Sequence, residues 1–552
     1  GSGVLVNQMT ETAKDHLFTT LEHGDIDLEI EFLMPKGSNS GIYFQGRYEV
    51  QLLDSWGVET ATHGDCGGIY QRWGEGRPEG QKGYEGHAPR VNASKAPGLW
   101  QHFRISFRAP KFDAAGNKVH NARFREVWHN GMLIHDNVEV SGPTRSAAFD
   151  DESLLGPLMI QGDHGPVAFR NIRYKTYSSD SLRLSDIRYR LYKGGSDHIP
   201  DFDTLTLVRE GSANSLDVDE VSDIKDHFAI QYAATLHVPV SGDYLFKTAI
   251  DDGGDLFIDD QLVVRNEQDP GYNEAAAIIP LTQGEHTLRL TFYEEVWSAT
   301  LALFYEGPGI EYRRIGHIPP PDQQVRTPRP PILVQAATAP EMLRGFVMYG
   351  EEKRTHTISV GDPAAVHYSY DLYEGTLLKC WKGGFGDVTD MWQDRGEPQL
   401  LHPLNAAIEL CAGTPVAAIQ NEQAPWPASA PESTGFKGYE VNAAGRPVFR
   451  YEWGPLRLTD ELSPADEGQR LHRSLLIQAD APQSAYWCRI AEGASIEQVP
   501  GGLYRIDGSY YLHLEASGEA EPLLRDLNGR QELLIPVLSS TSQSHINYSL
   551  LW

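Results

Sequence analysis

Long apolar runs are missing from these 552 residues. None approaches the ~18–20 residues a helix needs to cross a membrane, so no membrane span is expected. Cysteine is scarce: the four, Cys66, Cys380, Cys411 and Cys488, fit neither a zinc-knuckle spacing nor a dense disulfide framework. Cys380 and Cys411 could bridge within the C-terminal part, and buried free thiols are an equal alternative, so the redox compartment stays open. Basic charge is short, with 47 Lys and Arg against 76 Asp and Glu and a net charge of −29. Such a surface repels a phosphate backbone, which argues against nucleic acid as a partner. Helical periodicity is lacking too, and no repeat of fixed period is present. Gly1-Ser2-Gly3 reads as an artificial start, so a missing leader excludes no compartment.

What is present is turn punctuation. The 53 Gly and 34 Pro separate short alternating runs, the pattern of β-sandwiches rather than helix bundles. In 25–34, DIDLEIEFLM, Ile26, Leu28, Ile30 and Phe32 share one face and acidic residues the other, as in a half-buried antiparallel strand. GIYFQ and RYEVQLLD follow as strands, and His129-Asn130-Gly131 between two more runs predicts a hairpin with an Asn-Gly turn. The fold class is all-β. Expected domains are 1–178, then 183–315 after a polar joint, a stiff Pro-rich linker at 316–331, and a β-rich region of unassigned role at 332–552. The stretch 56–98, rich in Gly, Pro, Arg and His, reads as a long ordered loop of the kind that carries function.

Several strings are unusual: GDIDLEIEF (24–32), GSNSGIYFQGRYEVQLLDS (37–55), CGGIY (66–70), PGLWQHFRISFRAPKFD (97–113), HNG (129–131), GPT (142–144) and LMIQGDHGPVAFRNI (158–172). With these the first domain resembles the 3-keto-disaccharide hydrolase family, a concanavalin-like jelly-roll sandwich, in the family's order and over nearly the whole domain. DFDTL (201–205), SGDYLF (241–246), DDGGDLFID (251–259) and QGEHTLRLTFYE (283–294) make the second resemble the protective-antigen type of β-sandwich. The resemblances imply a carbohydrate-active enzyme of the periplasm or cell exterior, with an oligosaccharide, polysaccharide or oxidised glycoside as partner.

Alternation in Arg47–Asp54 sends Tyr48, Val50 and Leu52 inward and Arg47, Glu49 and Gln51 to the opposite face, with Tyr43 and Gln45 sharing that outlook. Such a face binds hydroxyls well, and a solvated outer surface with an Arg–Glu pair is the plain alternative. Asp54 either caps a turn or borders a cleft. Asp163-His164, flanked by Gly162 and Gly165, offers a proton carrier and a neighbouring charge, against a simple hairpin turn. His87, Lys95 and Arg170 are further substrate-binding candidates. His63, Asp65 and Cys66 match no established metal-ligand spacing.

The family's name implies a mechanism. A C3 ketone acidifies the C2 hydrogen, a base removes it, the C1 substituent leaves by elimination, and water adds back. Glu49 and His164, with Asp163 beside it, would share acid–base duty, and Arg47 or Lys95 would face the enolate oxygen. No cofactor is required. A divalent metal at the enolate is left open, as is calcium at Asp251-Asp252, where consecutive aspartates match the calcium pair of the protective-antigen lectins. A turn is the alternative there. Trp381, Phe385 and Trp392 read as a satellite core or as an aromatic sugar platform. The rival to an enzyme is a non-catalytic carbohydrate-binding or adhesive chain, and fold alone does not arbitrate.

Overall fold

Asp25–Leu33 forms a strand whose side chains alternate between buried and half-buried in the computed structural model of the protein. The structure describes residues 3–12, 14–113, 115–178, 180–194, 198–296, 299–315, 331–392, 398–427, 435–483, 485–515 and 521–552, with 268–270 by backbone alone. Apart from Pro331, the Pro-rich stretch 316–331 lies outside these. Helix among the described residues is limited to two single turns, Val218–Val221 and Thr389–Trp392, and two short 3-10 segments. The protein is all-β, as its patterning predicts.

The first domain is a two-layer antiparallel sandwich. One sheet has six strands, in the order Leu5–Asn7, Val167–Tyr177, Asp25–Leu33, Trp100–Arg108, Ala122–His129, Met132–Val140. The other has four: Leu17–His23, Gly156–Ile160, Asn39–Phe44, Tyr48–Leu53. Ile26, Leu28, Ile30 and Phe32 of the first sheet meet Ile42, Phe44, Tyr48, Val50 and Leu52 of the second in one apolar core. Ring stacking of Phe32 on Phe103 and Phe44 on Phe107, at 4.9 and 5.0 Å, runs through it. The Asn-Gly hairpin forms, with φ of 49° at Asn130 and 83° at Gly131.

The second domain turns on a single long strand, Gly242–Ile258. Leu245–Ile250 pair with Leu301–Glu306, and from Gly253 onward the strand pairs with Gly284–Glu294 instead. The change of partner is a corner made by a bulge at Asp251–Gly253, with Asp252 at φ 58°.

Residues 1–174 and 329–552 form one compact unit and residues 175–328 another. In the first unit the C-terminal region has its own core, built around Ile358, Tyr370, Phe449, Leu475 and Leu550. It also grips the jelly roll. The hairpin Leu503–Leu514 reaches residues 97–100: Trp100 N donates to Gly508 O at 2.8 Å and Tyr511 hydroxyl to Pro97 O at 3.1 Å. Trp56 Nε1 donates to Trp552 O at 2.7 Å, and Lys382 Nζ lies 4.9 Å from the centre of each tryptophan ring.

The aromatic string at 381–392 divides. Trp381 and Phe385 are fully buried and stacked, whereas Trp392 is 77% exposed. All four cysteines are free thiols, so Cys380 and Cys411 do not pair.

Candidate active site

Strands Asn39–Phe44 and Tyr48–Leu53 set Tyr43 opposite Glu49 and Gly41 opposite Gln51. Because Ile42, Val50 and Leu52 fill the core, these four share the face away from it. The face is polar yet shielded, with Tyr43 1%, Glu49 3% and Gln51 6% exposed. Gln51 Oε1 is buried with no hydrogen-bond partner among the described residues.

The 56–98 stretch extends this sheet. Gly67 N donates to Gln51 O at 2.8 Å, and Tyr70 N to Glu49 O at 3.1 Å. Ile69 bridges Val50 on one side and His87 on the other. A Cβ at Gly67 would overlap Ile134, and one at Gly68 would overlap His63 O, which explains the paired glycines of CGGIY. Since Ile69 lies beside core-facing Val50, its neighbour Tyr70 turns to the polar face, where its hydroxyl is close enough to Tyr43 to affect it electrostatically.

Glu49 is the centre of the arrangement. Burial pushes its carboxyl up to about 8; a hydrogen bond from the Tyr43 hydroxyl pulls it back, and the nearby charge of Asp163 pushes it further up. Burial, and then Glu49 itself, raise the Tyr43 phenol well above its ordinary value. Glu49 therefore carries its proton at neutral pH. Asp163 stands at the open side, 38% exposed at its side chain, with Oδ1 2.7 Å from His164 Nδ1. A buried neutral carboxyl and an exposed Asp–His pair, coupled by charge, are the ingredients of an acid and a base in one site.

Other sequence candidates are held elsewhere. All three guanidinium nitrogens of Arg47 are engaged, Nε with Asp151 O at 2.7 Å, Nη1 with Gln45 O at 2.8 Å and Nη2 with Asp151 Oδ1 at 2.6 Å, so it fastens a turn rather than facing an enolate. Gln45, at φ 55°, donates to His23 O and Leu154 O. Asp54 caps a turn by accepting from Gly37 N at 2.8 Å. His87 contributes its backbone to the Ile69 bridge, and burial lowers its ring below the ordinary histidine value. Lys95 and Arg170 gather around Glu31 of the six-stranded sheet: Arg170 Nε donates to Glu31 Oε2 at 2.7 Å, while burial lowers Lys95 to about 8 and Glu31 draws it back up.

Several candidate metal ligands are engaged in hydrogen bonds or ion pairs. Asp65 accepts from Thr62 and Ser55, as turn chemistry. Asp252 Oδ1 accepts from Gly271 N at 3.3 Å and Oδ2 from Glu295 N at 2.6 Å, so both its oxygens already secure the corner. Asp255 is bound by Arg265, and Asp259 by His286 and Thr287. Among the described residues no group of three or more His, Cys, Asp or Glu is arranged to hold a metal ion. No step proposed below runs through a metal.

Two site residues escape sequence reasoning, Gly41 and Tyr70. The strict alternation of strand 39–44 carried the signal for Gly41, since parity alone puts it beside Glu49. Tyr70 had none until CGGIY is known to pair with 49–51.

Comparison with known proteins agrees with this domain order. Residues 1–175 match the 3-keto-alpha-glucoside-1,2-lyase-like domain and residues 204–318 the PA14 domain. No curated protein matches the chain. Among solved structures, a proposed glycosyl hydrolase from Parabacteroides distasonis ATCC 8503 is 26% identical over 32% of this chain and 72% of its own, with a TM-score of 0.26. The PA14 domain of the antifreeze protein MpAFP is 16% identical over 26% of this chain and 97% of its own, with a TM-score of 0.21. No helix among the described residues is long and apolar enough to cross a membrane. By its sequence, this chain carries a 3-keto-alpha-glucoside-1,2-lyase-like domain at residues 1–175, followed by a PA14 domain at residues 204–318.

Proposed function

We propose that the jelly roll cleaves 3-keto glycosides or closely related saccharides by elimination and re-addition of water. The observation that carries this is Glu49: a buried carboxyl, raised to about 8 by that burial, on a polar sheet face beside the hydrogen-bonded Asp163–His164 pair. His164, with Asp163 orienting its ring, takes the C2 proton. The C2–H electron pair forms the enolate of the C3 ketone. The C1–O bond then breaks, and Glu49 gives its proton to the leaving oxygen. Water adds at C1, and a proton returns to C2. Tyr43 holds the Glu49 carboxyl in place, and the unpartnered amide oxygen of Gln51 accepts from a sugar hydroxyl. This reading puts the protein's work in the periplasm or outside the cell, with the second domain holding glycan.

A 3-keto glucoside deuterated at C2 tests the chemistry. Elimination requires slower turnover and loss of C2 deuterium to water; unchanged turnover with deuterium retained would mean direct hydrolysis. The pH profile carries a second expectation. Only protonated Glu49 can act as the acid, so activity should fall as pH rises through about 8. An alkaline limb that is identical in Glu49→Gln would assign that titration to another group.

A further inference from the structure

The second domain has a groove of about 340 Å³ on the outer face of its sheet. Cross-strand register builds it. Arg188 is directly opposite Ala233, Ala233 is opposite Arg289, and Arg289 is opposite Phe257, across four adjacent strands. Tyr232, Ala234, Leu256, Ile258, Leu288 and Leu290 fill the core, so this row faces outward. Ala233 is a floor between two arginine walls. Thr235 and Thr287 form the next row, and Asp186 and Asp260 stand at the rim at φ of 52° and 61°.

Acidic residues outnumber basic ones 76 to 47, yet neither Arg188 nor Arg289 has a hydrogen-bond or ion-pair partner among the described residues. Arg289 instead lies over the Phe257 ring, 3.7 Å from its centroid, which fixes the guanidinium plane and leaves its edge N–H groups free. Two cations flanking Ala233, about 10 Å apart at the backbone and each unpaired, favour an anion between them. A guanidinium fork matches a carboxylate or sulfate by paired N–H donors. The threonine hydroxyls and the rim aspartates supply donors and acceptors for sugar hydroxyls, and the volume suits about one or two sugar rings.

We propose that this groove binds an anionic saccharide, a sugar carrying a carboxylate or a sulfate ester, through Arg188 and Arg289. The proposal rests on the saccharide reading of the chain and not on catalysis by Glu49. Calorimetric titration of the full chain with trigalacturonate, a sulfated carrageenan oligosaccharide and neutral maltotriose tests it. At least one anionic ligand should bind more tightly than maltotriose, and the double variant Arg188→Ala/Arg289→Ala should lose about tenfold or more per arginine. Binding of trigalacturonate alone assigns a uronate, of the carrageenan alone a sulfate ester, and of both a site that reads charge. Equal binding of maltotriose, failure of both anionic ligands to bind, or undiminished binding by a double variant with an unchanged melt would overturn it. Cleavage of a small 3-keto glycoside should be untouched in the double variant, which separates a failure of this groove from a failure of the Glu49 chemistry.

Discussion

Glu49→Gln is expected to remove most turnover and, at the same time, make the protein more stable. The loss follows from its role: deleting a general acid typically costs ~10²–10⁴ in rate. The gain follows from linkage. The Glu49 carboxyl titrates at about 8 in the fold against an ordinary 4.5, so between these values the folded protein holds a proton that the unfolded chain releases. Stability therefore falls as pH rises across that window. Taking up that proton at pH 7 costs the wild type ~3 kcal/mol, a cost a neutral glutamine avoids. The amide oxygen can still accept from Tyr43, so the tyrosine donor is not stranded. Thermal melts from pH 4.5 to 8 check this: the two proteins should melt together at the acid end, and the variant should gain by several degrees at the alkaline end. A variant no more stable than the wild type at pH 8 would mean that Glu49 is solvated rather than held neutral.

Gly41→Ala should cost ~10² in turnover while leaving the fold intact, since a misplacement of about 1 Å in a reacting group has that effect. Gly41 lies in an extended strand, so alanine suits its backbone. The new Cβ, however, would overlap Glu49 Oε1 and come within 3.0 Å of the Tyr43 ring, so the carboxyl must swing away from its place beneath Tyr43. A normal melt combined with weak turnover is the expected pairing. Full turnover would show that the carboxyl works from another rotamer.

The layers and the polar face were legible because parity is a local property. DIDLEIEFL and RYEVQLLD each state which residues point inward, and the structure follows them through Ile26, Leu28, Val50 and Leu52. Partners distant in sequence were not legible. Arg47 shares a face-forming segment with Glu49 on paper, yet its guanidinium is captured by Asp151, 104 residues on. Arg170 follows the Asp163-His164 turn closely in sequence but belongs to the six-stranded sheet, where Glu31 holds it. That a strand changes layers at the paired aspartates 251–252 was not legible either; there the backbone N–H groups of Gly271 and Glu295 donate to Asp252. The grip of the 503–514 hairpin on residues 97–100 joins segments some four hundred positions apart, and no periodicity announces it.

The central claim is that the Glu49 face is a catalytic site for oxidised glycosides. Its most direct measurement is release of a chromogenic leaving group from a 3-keto glucoside by the full chain, beside Glu49→Gln at the same concentration. Release by the wild type, with a loss of ~10²–10⁴ in the variant, is the predicted result. Equal release by both proteins, or binding of the glycoside without release by the wild type, would contradict it.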